Sequence, residues 1–294
     1  MSRLKTFLLA FAAAMVALPS MAQGVVVFKK DGTRVVYPYE AIDSIVTYNY
    51  GETPPTGGGF VNDGQNKVYT ANGVSFTMIA VKGGTFTMGA TSEQTGAFSD
   101  ESPTHSVTLS DYYIGETEVT QKLWNAVMGS NPSKFTGNMQ RPVEMVSWND
   151  CQTFISKLNQ LTGETFRLPT EAQWEYAARG GNKSKGYTYS GSNAIDDVAW
   201  YNDNSDRMTH PVKTKAPNEL GIYDMSGNVF EWCSDWYGSY SSAAQTDPTG
   251  PATGFYRVRR GGSWDDIAAS CRVAYRISGA PTNTINYLGL RLAY

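Results

Sequence analysis

The sequence has few of the residues on which catalysis and metal binding most often depend. Its 294 residues include only three cysteines, Cys151, Cys233 and Cys271, and two histidines, His105 and His210. No cysteine lies in a Cys-x-x-Cys or Cys/His spacing, which disfavours a zinc site. Three cysteines allow at most one disulfide bond within the chain. Both histidines are predicted to be surface or loop residues rather than a base or a metal ligand.

Charge is also scarce. Charged residues make up 17% of the chain, against about 25% in an ordinary soluble protein. The net charge of -3 comes from 24 basic and 27 acidic residues with no basic stripe, which disfavours nucleic acid as a partner. In contrast, 29 glycines, 18 tyrosines and 7 tryptophans are present. This composition predicts a loop-rich globular protein and disfavours disorder and coiled coil.

The N-terminus has the layout of a secretory signal peptide over residues 1–22. Arg3 and Lys5 precede an apolar run over 7–18, and small residues stand at the -3 and -1 positions of a cut after Ala22. No later stretch reaches the ~18 apolar residues of a membrane span. We therefore expect an exported protein, periplasmic or extracellular, with no transmembrane segment. The alternative is that these residues form an N-terminal helix of the fold.

A small β module is predicted over residues 24–50, followed by a Pro/Gly linker over 51–66. Residues 25–28 and 34–37 have strand composition around an Asp31-Gly32 turn, and 42–48 could add a third strand. The main domain then covers 67–294, a length typical of a single domain.

Three helices are predicted in the main domain, at caps formed by Thr120, Ser147 and Thr170. The second helix would bury Phe154, Ile155, Leu158 and Leu161 on one face. The remaining chain reads as short strands and glycine-rich loops without a βα alternation. The fold class predicted is therefore α+β.

Most local constellations do not support a specific chemistry. The glycine-rich loop at 83–89 lacks the Gly-Lys-Ser/Thr end of a phosphate-binding loop. Asp224, Glu231 and Asp235 could act as the acid and base of a glycosidase, but carboxylates at such spacings are common. Asn228 and Glu231 offer hard oxygen ligands for Ca²⁺ on one turn. Equally, these two side chains could bond the backbone of neighbouring loops.

Seven motifs in order resemble the sulfatase-modifying-factor family, whose type members are formylglycine-generating enzymes. They lie at residues 83–89, 118–120, 142–148, 167–180, 228–232, 260–264 and 288–292. The resemblance covers about 81–294 and implies a variant of the C-type lectin fold, low in regular structure. It also implies a calcium ion near Asn228 and Glu231, since calcium in these enzymes sits partly at the matching string.

The resemblance does not extend to the catalytic cysteines. The family's oxidases use two cysteines, five residues apart, to bind copper and activate O₂, and this chemistry needs thiolates. Counted from Gly261, Cys271 would match the second cysteine and Asp266 the first; anchored on Arg272, Cys271 lies beyond the pair. Either way at least one catalytic thiol is missing, so copper is not expected. Cys271 would then pair with Cys233 or be a buried apolar residue, and Cys151 is predicted to be a buried free thiol.

The C-terminal segment is similar to the variable region of lectin-fold proteins diversified by retroelements. Blocks at 265–267, 275, 277–279 and 285–287 alternate with fixed-looking anchors, and every residue in them is reachable from Asn codons by changing adenines. The alternative is an ordinary loop without diversification. The predicted ligand-binding residues are Trp264, Asp265, Asp266, Ile267, Tyr275, Ile277, Ser278, Asn286 and Tyr287.

These observations predict an exported, non-catalytic protein that binds a protein or glycan at its C-terminal surface. One alternative is a formylglycine-generating oxidase that converts a sulfatase cysteine. Another is an accessory subunit that docks to a partner through the N-terminal module.

Overall fold

The computed structural model describes residues 65–294 and, of the preceding chain, the backbone of two strands. These are β1 (Gly24–Phe28) and β2 (Arg34–Pro38), which pair antiparallel as the sequence predicts. The signal segment, the turn between the two strands, the third strand predicted at 42–48 and the linker up to residue 64 lie outside the described residues. The chain divides into two compact units, residues 1–59 and 60–294.

The second unit contains four α-helices and ten strands within residues 65–294. The helices are α1 (Gln121–Met128), α2 (Trp148–Thr162), α3 (Glu171–Ala178) and α4 (Ile195–Val198). The strands are β3 (Lys67–Ala71), β4 (Val74–Val81), β5 (Gly84–Met88), β6 (His105–Leu109), β7 (Tyr112–Gly115), β8 (Phe230–Trp236), β9 (Gln245–Thr246), β10 (Arg257–Arg260), β11 (Arg276–Gly279) and β12 (Leu288–Gly289).

The first three helices begin where their capping side chains predict. Thr120, Ser147 and Thr170 each accept the backbone N–H three residues further on. In α2 and α3 the residue at that position returns a bond to the cap, which completes a capping box. α2 ends at Gly163, whose φ of 76° is the left-handed conformation that glycine adopts without strain.

Three sheets are formed by the strands of residues 65–294. Their orders are β3-β4-β7, β5-β6-β9 and β11-β10-β8-β12. In the third sheet β8 pairs antiparallel with β10 and parallel with β12, which belongs to the C-terminal end of the chain. This sheet therefore brings the predicted binding segments together.

The core consists mainly of two clusters of buried side chains. One packs α1 and α2 against β3 and includes Phe154 and Trp232, and the other surrounds α3 and includes Trp174. Close backbone contacts need glycine: a Cβ at Gly227 would lie 2.3 Å from the carbonyl oxygen of Trp200. Together these features confirm the predicted α+β class.

Two sequence expectations are corrected. Leu161 is 47% exposed because it lies in the last turn of α2, beyond the contact with the core. His105 is a buried strand residue, with its ring tilted against that of Tyr240 at a centroid distance of 4.9 Å, and not a surface or loop residue. Within residues 65–294 and the two leading strands, no helix is long and apolar enough to cross a membrane.

Candidate functional site

The site is built on the two faces of the sheet β11-β10-β8-β12. Arg259 lies opposite Ile277 and Trp232 on the neighbouring strands, whereas the next residue, Arg260, lies opposite Arg276. Successive side chains of a strand point to opposite faces. One face of the sheet is therefore ionic and buried, and the other is aromatic.

The ionic face fixes the backbone of the binding segment. Arg260 pairs with Glu175, and Arg276 donates two hydrogen bonds to Glu171 at 2.7 and 2.8 Å. Burial alone would lower the pKa of Arg260, but the charge of Glu175 raises it above its ordinary value. Arg260 also donates to the backbone carbonyl of Tyr275. A buried cation thus holds the chain at Tyr275, directly before β11, in place.

The aromatic face brings the predicted tyrosines together. The ring of Tyr275 lies 5.6 Å from Phe98 and 6.3 Å from Phe230, and the ring of Tyr287 also lies 6.3 Å from Phe230. Both tyrosines are half-buried, so part of each ring faces solvent. We call this region the C-terminal surface, formed by Trp264, Asp266, Tyr275, Ile277, Ser278, Asn286 and Tyr287.

Trp264 connects two loops of this surface. Its side chain is buried, and its indole N–H donates to the carbonyl oxygen of Asn286 at 2.9 Å. The ring of Phe135 packs edge-on against it at 5.2 Å. These contacts leave Trp264 little freedom to move.

The loop after Trp264 presents its side chains unevenly. Asp265 and Ile267 are exposed, and Ile267 is 57% accessible. Asp266 is half-buried and accepts a hydrogen bond from the hydroxyl of Ser263. Burial raises the pKa of the Asp266 carboxyl. Of the three predicted residues, Asp266 is the one whose charge acts on Arg259 and Tyr275.

Sequence reasoning missed three contributors to this surface, namely Phe98, Phe230 and Arg259. The guanidinium of Arg259 lies 5.5 Å from the ring centre of Phe230 and donates to the carbonyl oxygen of Ser278 at 2.6 Å. The sequence does contain a signal for Arg259: side chains along β10 alternate between the two faces of the sheet, so residues 257 and 259 share one face. No local pattern points to Phe98, which comes from a distant loop.

Asn228 has all its side-chain polar atoms engaged by protein. Its Oδ1 accepts the backbone N–H of His210 at 2.9 Å, and its Nδ2 donates to Glu118 at 2.7 Å. Burial raises the pKa of Glu118 well above its ordinary value. The Asn228 side chain thus forms hydrogen bonds with a neighbouring loop, which is the alternative to calcium binding that the sequence leaves open.

Glu231 serves as the counter-ion of a buried arginine. Arg291 donates to its carboxylate from Nη2 at 2.7 Å, and the indole N–H of Trp174 donates at 2.6 Å. Both members of the ion pair are buried. Within residues 65–294, no group of three or more His, Cys, Asp or Glu side chains is arranged to hold a metal ion. Calcium at Asn228 and Glu231 stays a prediction, and an ion there would compete with Arg291.

The three cysteines, Cys151, Cys233 and Cys271, are free and buried. Burial raises the pKa of each thiol above its ordinary value. Cys233 and Cys271 therefore form no disulfide bond, and each is a small buried residue, which is the other role that the sequence allows. A protonated, enclosed thiol is a poor nucleophile and a poor ligand for copper.

A separate cleft of about 520 Å³ lies beside β8. Its walls include Asp235, Glu171, Trp236 and Tyr240, and none of the predicted binding residues. Burial and the charge of Glu171 raise the pKa of Asp235 to about 7. This cleft is chemically distinct from the C-terminal surface.

Known relatives share both sequence and fold with this chain. A "Chaperone protein LppX" from Paenibacillus barcinonensis is 37% identical over 252 residues, which covers 69% of this chain and 83% of the relative. A formylglycine-generating enzyme from Streptomyces coelicolor is 37% identical over 188 residues. That match covers 58% of this chain and 57% of the enzyme.

A solved structure, "Treponema denticola variable protein 1", superimposes with a TM-score of 0.71 and 37% identity. The match covers 78% of this chain and 98% of that one. The fold is the formylglycine-generating-enzyme variant of the C-type lectin fold. The family model for the sulfatase-modifying factor enzyme 1-like domain matches residues 66–294. The chain therefore belongs to the sulfatase-modifying-factor family.

Proposed function

We propose that this protein is an exported, non-catalytic binding protein whose ligand, a protein or a glycan, contacts the C-terminal surface. The observation that carries this proposal is the convergence of Tyr275, Ile277 and Tyr287 on one face of a sheet whose other face is fixed by ion pairs. Half-exposed tyrosines on a rigid scaffold supply contact area at a low cost in conformational entropy. Such surfaces are typical of recognition rather than of chemistry.

Diversification of this surface is part of the proposal. The residues at 265–267, 275, 277–279 and 285–287 lie on adjacent strands and loops, so changes in these blocks would alter one contiguous surface. The similarity to a Treponema variable protein supports this interpretation. The test is the neighbouring DNA: a reverse transcriptase and a near-copy of the coding segment for 261–294 that differs at adenines are expected. Their absence would leave an ordinary, undiversified surface.

The absence of catalysis is supported by the chemistry of the thiols. Copper(I) binding and oxidation of a substrate cysteine require accessible thiolates, whereas burial raises the pKa of Cys271 and of the other two cysteines. The competing function is that of the Streptomyces relative, formylglycine generation. Incubation of the protein with copper, O₂ and a sulfatase peptide should give no formylglycine by mass spectrometry. Turnover of the peptide would refute the non-catalytic proposal.

Export rests on the first 22 residues and is tested by the mature N-terminus. Cleavage after Ala22 predicts a protein that begins at Gln23. N-terminal sequencing of protein from the periplasmic and culture fractions should find this residue. Intact Met1 in the cytosolic fraction alone would contradict export.

Binding is tested with the full-length mature protein on combined glycan and peptide arrays. We expect a set of ligands whose binding is lost in the Tyr275→Ala/Tyr287→Ala variant. The matched control is Phe255→Ala/Tyr256→Ala, which removes two exposed aromatic rings outside the C-terminal surface. Ligands that bind the tyrosine variant as tightly as the wild type would refute the assignment of the site.

A further inference from the structure

One buried arginine differs from the others in its electrostatic environment. Five arginines in residues 65–294 are at least nine-tenths buried. Four of them form ion pairs with buried glutamates: Arg260 with Glu175, Arg272 with Glu101, Arg276 with Glu171, and Arg291 with Glu231. Arg259 is 8% exposed, and in this part of the chain no carboxylate oxygen lies within 4.0 Å of its nitrogens.

The hydrogen-bonding capacity of Arg259 is only partly used. A guanidinium carries five N–H donors. Nη2 donates to the carbonyl oxygen of Ser278 at 2.6 Å, and the side chain also forms a hydrogen bond with Tyr287. The buried Nε has no hydrogen-bond partner among the described residues. The side chain lies across Gly279, where a Cβ would come within 2.8 Å of Nε. The fold therefore makes room for this cation without supplying a counter-ion.

The neighbours of Arg259 compensate its charge only in part. The aromatic faces of Phe230 and Trp232 lie 5.5 and 6.0 Å from the guanidinium carbon. Burial lowers the pKa of Arg259, and the influence of Tyr287 and Asp266 does not fully offset this effect. A buried charge without a partner is costly, and the cost is recovered when an anion of matching geometry binds.

We propose that Arg259 is the anchor for a carboxylate group of the ligand, with the adjoining part of the ligand packed against Tyr275 and Tyr287. The planar guanidinium matches a carboxylate in geometry and donates parallel hydrogen bonds to it. Arg259 shares a sheet face with Ile277, so an anion at the guanidinium would lie beside the predicted binding residues. This inference rests on the proposed function for the location of the ligand and adds its chemical class.

Asp266 favours a carboxylate over a doubly charged phosphate. Its half-buried carboxyl interacts with Arg259 electrostatically although it forms no ion pair with it. A second full negative charge on the ligand would be repelled by this carboxyl. A ligand with a single negative charge, such as an acidic side chain, a chain terminus or an acidic sugar, meets less repulsion.

The test uses benzoate as a probe and benzamide as its neutral counterpart. Full-length mature protein labelled with ¹⁵N is titrated, and the Nε–H signals of its arginines are followed by NMR, with Arg259→Lys used for assignment. We expect a saturable shift of the Arg259 signal with benzoate, no such shift with benzamide, and weaker binding of phenyl phosphate. Equal shifts with benzoate and benzamide, or no saturation with benzoate, would overturn the proposal. Tighter binding of phenyl phosphate would contradict the assignment of a carboxylate.

Two variants measure the contribution of Arg259 to affinity. The indole N–H signal of Trp264, which reports on the same surface, serves as the common readout. Arg259→Lys should weaken benzoate binding by roughly tenfold, since a lysine provides no planar pair of donors. The control is Arg257→Lys, two residues earlier on the same strand, where the guanidinium stacks on Trp148 and Trp236. An equal loss in both variants would refute a specific role for Arg259.

The two proposals fail in distinguishable ways. If array ligands depend on Tyr275 and Tyr287 but benzoate does not bind, the ligand is neutral and only the inference about Arg259 is wrong. If array ligands bind independently of both tyrosines, the proposed site itself is wrong, whatever benzoate does.

Discussion

Replacement of Glu231 by glutamine tests whether this residue is a structural counter-ion. In the wild type, Arg291 donates to both carboxylate oxygens, with distances of 2.7 to 3.1 Å. Glutamine keeps the size of the side chain and one oxygen for the indole of Trp174, but it removes the charge. Arg291 would keep its bonds to the carbonyl oxygens of Gly115 and Tyr223 and lose its ion pair.

The expected loss follows from the burial of this pair. Breaking a buried ion pair by removing one partner costs about 3–5 kcal/mol. The charge of Asp224, whose pKa of about 6 leaves it mostly ionised at pH 7, also acts on Arg291 and offsets part of the loss, so we expect about 3 kcal/mol, at the lower end. For a domain of this size, that corresponds to a decrease in melting temperature of roughly 6–12 °C.

The assay is urea denaturation of the wild type and Glu231→Gln at pH 7, each with calcium and with a chelator. The control is Glu116→Gln, which removes the partner of the exposed Lys213 and should cost no more than about 1 kcal/mol. The reasoning would be refuted by a loss below about 1 kcal/mol for Glu231→Gln. Destabilisation of the wild type by the chelator, with no effect on the variant, would instead identify Glu231 as a calcium ligand.

Three further predictions concern other parts of the molecule. Burial raises the pKa of the Asp235 carboxyl from 3.8 to about 7. Between these pH values the folded state binds more protons than the unfolded state, so the contribution of Asp235 to the free energy of unfolding falls as the pH rises from about 4 to about 7. The Asp235→Asn variant has no carboxyl to titrate, so the free energy of unfolding of the wild type minus that of the variant should fall by up to about 4 kcal/mol over that pH range. A difference that stays constant with pH would contradict the burial of a neutral carboxyl. Gly279→Ala should lower the free energy of unfolding, measured by urea denaturation, by about 1–3 kcal/mol and should weaken benzoate binding. The reason is that the new Cβ would lie 2.8 Å from Nε of Arg259 and 2.9 Å from the ring of Trp232. Unchanged stability would contradict the tight packing at this position. All three thiols should resist a thiol reagent in the native state and react in denaturant; rapid labelling of one thiol in native protein would point to an accessible cysteine.

Local signals in the sequence predicted the helices well. The caps at Thr120, Ser147 and Thr170 each place a hydroxyl three residues before the N–H that it accepts, so neighbouring residues suffice to recognise them. The exposure of Leu161 could not be predicted, because the apolar period continues one turn beyond the contact with the core.

The ion pairs beneath the site were hidden in the sequence. Arg260 and Glu175 are 85 residues apart, and charged residues on a strand or helix ordinarily indicate solvent exposure. The same distance problem affects Phe98, which reaches Tyr275 from another loop. In contrast, the predicted residues of the C-terminal surface lie close in sequence, so local patterns were enough to propose them as one group; their role in binding stays a prediction.

Glu231 illustrates the limit of motif reading. A carboxylate and an amide three residues apart are consistent with a calcium ligand set, but only the fold shows that Arg291, 60 residues away, bonds this carboxylate. Its interpretation therefore depends on a long-range partner that spacing alone does not reveal.

The central claim is that the ligand contacts the C-terminal surface, and hydroxyl-radical footprinting of a complex tests it most directly. The full-length mature protein would be oxidised alone and with a saturating concentration of its strongest array ligand. We predict that bound ligand protects Tyr275 and Tyr287, while Trp236 and Tyr240 at the separate cleft are oxidised at the rate of the free protein. Protection of Trp236 and Tyr240 with no change at Tyr275 and Tyr287 would contradict the account.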